Sequence, residues 1–250
     1  MTTRLKTTLD PNLYTQIGLD SGSLTMLGTI VHQLCEPGEY RGALHLGADV
    51  KAVFSITADP TSPIAQVTVD LAGLEKKQAG EAPTGEEGPC GCGGKDTSGG
   101  DRYTVNPRGY VLFHVQSGTG GYYVHLRRID AAQNDKGYDT RTLKNGDAFT
   151  AMILRPGTYS IRNTLNKSKA EAVVHYPKIG DKRYTPPAPV RIECNANGFD
   201  TKGRVELGVG QGLVFNARAD SRIEIKLEKP DDGPPRADRG RTGYRKPQLA

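Results

Sequence analysis

Hydrophobic and polar residues alternate with a period of two along much of the chain. In the clearest segment, residues 222–227, Ile223, Ile225 and Leu227 fall on one face and charged residues fall on the other. Successive side chains of a β-strand point to opposite sides, so this alternation is typical of a strand with one buried side and one solvent-facing side. The pattern recurs in residues 67–71, 111–115 and 190–194.

Segments of this kind recur at the spacing found in β-sandwiches and barrels, and about thirteen of them are candidate strands. The best helical candidate, residues 70–78, is short. We therefore predict an all-β fold made of one or two antiparallel Greek-key sandwiches.

Two segments have little to bury and are predicted to be disordered. Residues 75–102 contain eight glycines and two closely spaced cysteines. Ordering such a stretch costs backbone entropy without burial of apolar surface in return. Residues 230–250 have a similar composition, and their last fifteen residues contain five Arg or Lys and one Asp. Most of the net charge of +5 therefore lies in a basic C-terminal tail.

A short motif occurs twice, as Pro37-Gly38-Glu39-Tyr40 and as Pro156-Gly157-Thr158-Tyr159. Each copy is followed by an extended run that contains a Lys-Ala pair, at Lys51 in the first and at Lys169 in the second. A Pro-Gly pair makes a tight turn, and the Tyr begins the next strand. Either the chain contains an internal repeat, or a β protein has simply used the same turn twice.

Three segments resemble parts of a cupredoxin-like sandwich. Residues 143–176 place a Gly-Asp-x-Phe turn before Pro-Gly-Thr-Tyr, as in the second half of that fold, and residues 25–72 resemble the same half. Residues 190–227 resemble the first half, with a Gly-Phe turn and the run Gly-Gln-Gly-Leu-Val-Phe-Asn. An immunoglobulin-like sandwich would give a similar pattern.

The resemblance implies a middle sandwich beside another that both ends of the chain build together. The predicted divisions are a β-rich half in residues 1–74 that 185–229 would complete, a flexible Gly/Cys loop in 75–102, a β-sandwich in 103–184, a β-rich segment in 185–229 and a disordered basic tail in 230–250.

The copper site of cupredoxins is not expected here. Type-1 copper needs a Cys thiolate, two imidazoles and a weak axial ligand such as Met. In the family the Cys follows the Pro-Gly-x-Tyr strand, with His and Met close behind. None of these three residue types follows Tyr159 closely, and His45 follows Tyr40 without an adjacent Cys or Met. The resemblance therefore implies the fold without the electron-transfer function.

The most unusual local feature is Cys90-Gly91-Cys92, which a further Gly-Gly follows. Two thiols one residue apart on a flexible backbone can bind a soft ion such as Cu(I) or Zn(II), or cycle between redox states. A structural zinc site normally needs four ligands. A flexible linker with two incidental thiols is the alternative. We nominate Cys90 and Cys92 as the candidate metal ligands.

The remaining His and Cys residues have simpler interpretations. His32, Cys35 and His45 have a spacing that could serve a metal, but a strand end with a packed thiol explains them better. His114 and His125 fall at polar positions of the alternation, whereas Cys194 shares the apolar face of its strand and is predicted to lie in the core.

No catalytic motif is recognisable in the sequence. There is no Gly-x-Ser-x-Gly elbow. The glycine-rich run 117–121 leads into a predicted strand rather than a helix, which favours a hairpin loop over a phosphate cradle. The sequence has no readable secretory signal and no apolar run long enough to span a membrane, so we expect a cytoplasmic protein without a membrane partner.

These observations favour a non-enzymatic protein that acts as a binding, scaffold or assembly subunit, with a protein partner or a second copy of itself. No cofactor is expected on this interpretation. One alternative is a copper, zinc or thiol-redox protein that uses Cys90 and Cys92. Another is a nucleic-acid-associated protein that uses the basic tail.

Overall fold

The computed structural model describes residues 17–80, 100–129, 137–176, 184–201 and 203–231. Within these ranges the chain forms seventeen β-strands and one short α-helix, so the predicted all-β class is confirmed. The strands are β1 (Gly18–Asp20), β2 (Gly28–Gln33), β3 (Gly38–Leu46), β4 (Asp49–Ala58), β5 (Gln66–Asp70), β6 (Asp101–Val105), β7 (Tyr110–His114), β8 (Tyr122–Arg128), β9 (Tyr138–Asp139), β10 (Ala148–Met152), β11 (Gly157–Asn163), β12 (Lys169–His175), β13 (Val190–Asn195), β14 (Gly198–Phe199), β15 (Arg204–Gly208), β16 (Gly212–Ala217) and β17 (Ile223–Pro230).

The helix α1 (Leu71–Gln78) lies where the sequence predicts it. It buries Leu71, Ala72 and Leu74 and places two lysines in its last turn, where cations favour a helix end. The predicted loop 75–102 is therefore wrong at its two ends, because α1 extends to Gln78 and β6 begins at Asp101. Residues 81–99 and the tail 232–250 lie outside the described residues.

The strands form three sheets. Sheet 1 has the order β6-β4-β3-β8-β9, and sheet 2 has the order β15-β12-β11-β17-β1. The central sheet has the order β5-β7-β2-β10-β16-β13-β14.

The sheets are mixed, which corrects the expectation of purely antiparallel sandwiches. The parallel pairs are β4 with β6, β5 with β7, β12 with β15 and β13 with β16. In each pair the chain visits another element before it returns, and such a crossover is what parallel neighbours require. The Greek-key connectivity remains a prediction.

Both five-stranded sheets cover the same side of the central sheet. Ile30, Phe113, Phe149 and Phe215 lie directly opposite one another on neighbouring central strands, and all four are fully buried. From sheet 1, Phe54 meets Phe113 with ring centroids 6.5 Å apart. The buried apolar residues of all three sheets form one continuous core.

Sheets 1 and 2 have the same architecture, strand by strand. Each strand of the first repeat, residues 18–128, has a counterpart in the second repeat, residues 137–230, with the same neighbours in the same relative directions. For example, β3 is antiparallel to both β4 and β8, and β11 is antiparallel to both β12 and β17. On the central sheet, β7 pairs with β2 and β5 as β16 pairs with β10 and β13.

Individual hydrogen bonds are duplicated as well. The hydroxyl of Tyr40 donates to the carbonyl four residues earlier at 2.8 Å, and the hydroxyl of Tyr159 does the same at 2.8 Å. The amide of Leu24 donates to the carbonyl of Tyr122 at 2.7 Å, and that of Leu143 donates to the carbonyl of Ser221 at 2.8 Å. The Pro-Gly-x-Tyr motif therefore belongs to an internal repeat rather than to a turn used twice.

A pseudo-two-fold axis relates the repeats. Ile30 and Phe149 occupy equivalent positions before the two Pro-Gly turns, and they face each other across the β2–β10 pair. On either side, Thr29 faces Thr150 and Val31 faces Ala148. The axis therefore passes between β2 and β10, at the middle of the central sheet.

The repeats also exchange their first strands. The strand β1 begins the first repeat but pairs with β17 of the second, and β9 begins the second repeat but pairs with β8 of the first. The residue after each exchanged strand fixes the contact: Ser21 Oγ accepts the amide of Ile223 at 2.9 Å, and Thr140 Oγ1 accepts the amide of Val124 at 2.8 Å.

Strand pairing divides the chain differently from the predicted segments. The first and last described strands, β1 and β17, pair in one sheet. The strands within residues 103–184, however, are shared among all three sheets and pair with strands on both sides of that segment.

Candidate interaction surface

The predicted metal ligands Cys90 and Cys92 lie outside the described residues, so the soft-metal and thiol-redox alternative stays a prediction. Elsewhere the structure separates the candidate ligands. His32 lies on the central sheet, Cys35 is exposed beyond its end, and His45 lies on sheet 1. Across the described ranges, no three His, Cys, Asp or Glu side chains lie close enough together to hold a metal ion.

His32 instead joins the two repeats. Its Nδ1 is hydrogen-bonded to Asp147 Oδ1 at 2.7 Å, and its ring stacks on Tyr138 with centroids 3.5 Å apart. Asp147 is only 3% exposed, and its second oxygen accepts the amide of Lys144 at 2.6 Å. Burial raises the pKa of Tyr138 well above its ordinary value. Sequence reasoning missed this cluster, because its members are far apart in the chain and meet only across the pseudo-two-fold axis.

The loop 117–121 connects strands of different layers, since β7 lies in the central sheet and β8 in sheet 1. The predicted hairpin is therefore wrong. In a hairpin the two strands on either side of the loop pair with each other. Here β7 and β8 do not pair, because the chain crosses from one sheet to the other. Cys194 is fully buried on the inner face of β13, as its place in the alternation predicts.

The outer face of the central sheet is unusual in its lack of charge. On the four middle strands, β7, β2, β10 and β16, no outward side chain is Lys, Arg, Asp or Glu. All twelve outward positions are nevertheless half-buried or exposed. They are Tyr110, Leu112, His114, Thr29, Val31, Gln33, Ala148, Thr150, Met152, Gly212, Val214 and Asn216.

The apolar character of this face is strongest next to the pseudo-two-fold axis. Val31, Leu112 and Val214 lie in the middle of the four strands, and Tyr110 and Met152 are 44% and 40% exposed at their ends. We call these twelve positions the charge-free face. Strands without charge on either side are typical of a sheet that is covered on both sides.

Charges begin on the strands that flank the charge-free face. In the register of the central sheet, Asp70 of β5 and Arg191 of β13 stand at the two ends of one cross-strand row, which passes through Thr29 and Thr150. Asp70 Oδ1 accepts the amide of Gln116 at 3.0 Å. Arg191 is exposed and has no ion-pair partner in the described part of the chain.

The outer faces of sheets 1 and 2 are different, because charged residues occupy most of their strands. Sheet 2 carries several ion pairs, among them Arg204 with Glu171 and Arg204 with Glu206. Sheet 1 carries Arg41, Arg102 and Arg127 in one row across its strands. The charge-free face is therefore a property of one side of the molecule.

No family model, curated protein or solved structure matches this chain. The cupredoxin-like resemblance accordingly remains a prediction, and the function has to be argued from the chain itself. No helix in the described ranges is both long and apolar enough to cross a membrane.

The charge-free face has the composition of the middle of a protein–protein interface. Such interfaces are depleted in charged residues at their centre and have a charged or polar rim. The twelve positions lie on one layer of strands, whereas small-ligand sites are concave and enclose the ligand. The arrangement is therefore suited to binding a macromolecule with an apolar surface.

Proposed function

We propose that this protein is a non-enzymatic assembly subunit that associates with a second copy of itself through the charge-free face. The observation that carries the proposal is the lack of charged side chains on the outer side of β7, β2, β10 and β16. Removing its apolar atoms from water favours association by about 25 cal/mol per Å², and the entropic cost of bringing two chains together opposes this.

The symmetry of the face supports a second copy as the occupant. In a two-fold dimer the same patch serves both partners, so it has to be self-complementary. The charge-free face is centred on a pseudo-two-fold axis and has paired threonines, Thr29 and Thr150, beside that axis. Uncharged aliphatic and threonine side chains can pack against copies of themselves without an electrostatic cost.

The rim charges favour one orientation of the two copies. If the dimer axis runs parallel to the strands, the β5 end of one copy lies over the β13 end of the other. Asp70 then faces Arg191 twice, once at each end of the interface, because both residues lie in the same cross-strand row. If the axis runs across the strands instead, Asp70 faces Asp70 and Arg191 faces Arg191, which is repulsive.

The size of the face sets the expected strength of the dimer. The four strands of the charge-free face and the two that flank it, β5 and β13, have about five residues each and span roughly 30 Å by 17 Å at the usual spacings, on the order of 500 Å² in plan. Stable interfaces bury about 800 Å² per partner. We therefore expect a reversible dimer whose population depends on protein concentration.

The proposal is tested by placing a charge in the middle of the face. Val31→Lys puts an ammonium group beside the pseudo-two-fold axis, where a second copy would have to desolvate it. The matched control is Val53→Lys, on the charged outer face of sheet 1, where Val53 is 41% exposed. Light scattering after size-exclusion chromatography gives the mass of each protein at equal concentration.

We expect the native chain and Val53→Lys to contain the same fraction of dimer and Val31→Lys to be a monomer. Arg191→Ala, which removes the rim charge, should weaken the dimer without abolishing it. The proposal fails if Val31→Lys, with an unchanged circular dichroism spectrum, keeps the dimer fraction of the native chain. It also fails if both lysine variants lose the dimer equally.

A further inference from the structure

The outer face of sheet 1 differs from its counterpart in the second repeat. In sheet 1 one cross-strand row reads Arg102, Ser55, Arg41 and Arg127, from β6 through β4 and β3 to β8. The equivalent row of sheet 2 reads Arg204, Glu171, Ser160 and Lys226. The order of the strands and the directions of their pairing are the same in both rows, so the comparison is between their side chains.

The two rows differ in whether their cations are separated from one another. In sheet 2 the row contains a carboxylate, and Glu171 lies 3.4 Å from Arg204. The serine Ser160 separates Glu171 from Lys226, so no two cations are neighbours. In sheet 1 the row has no carboxylate, and Arg41 faces Arg127 directly across two antiparallel strands.

The Arg41–Arg127 pair is unfavourable by itself. Like charges directly opposite on neighbouring strands destabilise a sheet. Both side chains are exposed, and within the described ranges neither has an ion-pair partner. Glu39 is the nearest carboxylate along β3, one row away on the same face. Two successive phosphates of one backbone, each held by one of the two guanidinium groups, would convert this repulsion into two charge-assisted contacts.

The neighbouring rings of sheet 1 are already engaged. Tyr123 stacks on His45 with centroids 4.7 Å apart, and the guanidinium of Arg141 lies 4.3 Å above the centroid of the same ring. Burial, together with the nearby His125 and Arg141, lowers the pKa of His45, which favours its neutral form. The positive charge of the row therefore comes from arginines, and the Tyr123 ring is not available to stack on a base.

We propose that the outer face of sheet 1 binds the phosphate backbone of single-stranded nucleic acid through Arg41 and Arg127, without a preference for sequence. Guanidinium groups bind phosphate in a fork geometry, and phosphate contacts carry no base information. Arg41 and Arg127 lie on neighbouring strands about 5 Å apart, so their long side chains can reach two successive phosphates of one strand. This site is on the opposite layer from the charge-free face and does not depend on dimer formation.

The test compares equal changes of charge at equivalent places in the two repeats. The variant Arg41→Ser/Arg127→Thr removes the facing pair, and the control Arg204→Ser/Lys226→Thr removes two cations from the matching row of sheet 2. All proteins keep the full chain, including the basic tail. The probe is a fluorescent oligothymidylate, and its anisotropy is followed over a range of salt concentrations.

We expect the sheet 1 variant to bind the probe roughly tenfold more weakly at low salt, with a salt slope smaller by about 1.4, the value for two lost phosphate contacts. The sheet 2 control should keep the native affinity and slope. An oligoadenylate of equal length should bind as tightly as the oligothymidylate.

A gain of function provides a second test. Ser160→Arg/Glu171→Ser removes the carboxylate from the sheet 2 row and places an arginine directly opposite Lys226. It should steepen the salt slope, since it adds a second set of phosphate contacts. The proposal is overturned if the sheet 1 variant and its control lose the same affinity, or if neither loses any. It is also overturned if the native chain binds phosphatidylserine vesicles and not the oligonucleotide.

Discussion

Cys194 illustrates how one position in the alternation decides the chemistry of a side chain. It shares the inner face of β13 with Ile192 and is fully buried. Burial, with smaller contributions from Asp200 and Glu193, raises the pKa of its thiol to about 12. Because the thiolate is the reactive form, Cys194 should be inert at neutral pH, whereas the exposed Cys35 has no such protection.

This difference can be measured by alkylation. When the folded protein is treated with iodoacetamide at about pH 8, we expect Cys35 to be modified and Cys194 to stay unmodified. Peptide mass spectrometry identifies each site. Protein unfolded in guanidinium chloride serves as the control and should be labelled at both positions. Labelling of Cys194 in the folded chain as fast as that of Cys35 would contradict its assignment to the core.

At the scale of elements, the two repeats fill the same space with different pairs of side chains. On the inner face of sheet 1, Gly42 lies opposite Phe54, and a Cβ atom on Gly42 would come within 2.3 Å of the Phe54 ring. At the equivalent place in sheet 2, Ile161 lies opposite Ala170. A small residue beside a large one has been exchanged for the reverse arrangement, which keeps the volume of the core nearly constant.

We therefore expect a strong coupling between Gly42 and Phe54. Gly42→Ile alone should lower the free energy of unfolding by overpacking, and Phe54→Ala alone should lower it by about 3–5 kcal/mol. The double variant should recover about 1–3 kcal/mol relative to the sum of the two single changes, because it recreates the pair of sheet 2. Urea denaturation gives the free energy of unfolding of the native chain, the two single variants and the double variant. Strictly additive effects would show that the two residues do not share a space.

The positions of individual strands could be predicted from the sequence, whereas the pairing between strands could not. The alternation at residues 222–227 identifies a strand because period two is visible within six residues. It gives no sign that β17 pairs with β1, some two hundred positions away. The repeat was visible only at Pro-Gly-x-Tyr. The Lys-Ala pairs are not at equivalent positions of the two repeats. Ala170 lies opposite Ile161, whose counterpart in the first repeat is Gly42, whereas Ala52 lies opposite Leu44.

The charge-free face, likewise, could be predicted only in part from the sequence. The runs Gly28–Gln33, Ala148–Met152 and Gly212–Ala217 contain no Lys, Arg, Asp or Glu at any position, which is a signal for strands covered on both sides. These three strands lie side by side because the pseudo-two-fold axis passes between β2 and β10. The position of that axis could not be inferred from one short repeated motif.

At the scale of the whole molecule, the chain has the organisation of a two-fold dimer joined into one polypeptide. Each repeat contributes its first strand to the other, and the two meet at equivalent strands in the middle of one sheet. Both five-stranded sheets then lie on one side, which leaves the charge-free face on the other. Duplication thus doubles the area of a surface that one repeat alone would present on only two strands.

The most direct test of self-association is sedimentation equilibrium of the native chain over a wide range of concentrations. We predict a mass that rises from one chain at high dilution to two chains at high concentration, with a modest loss of dimer at high salt, because only the rim pairs of Asp70 and Arg191 are screened. A mass of one chain up to the highest soluble concentration would contradict it.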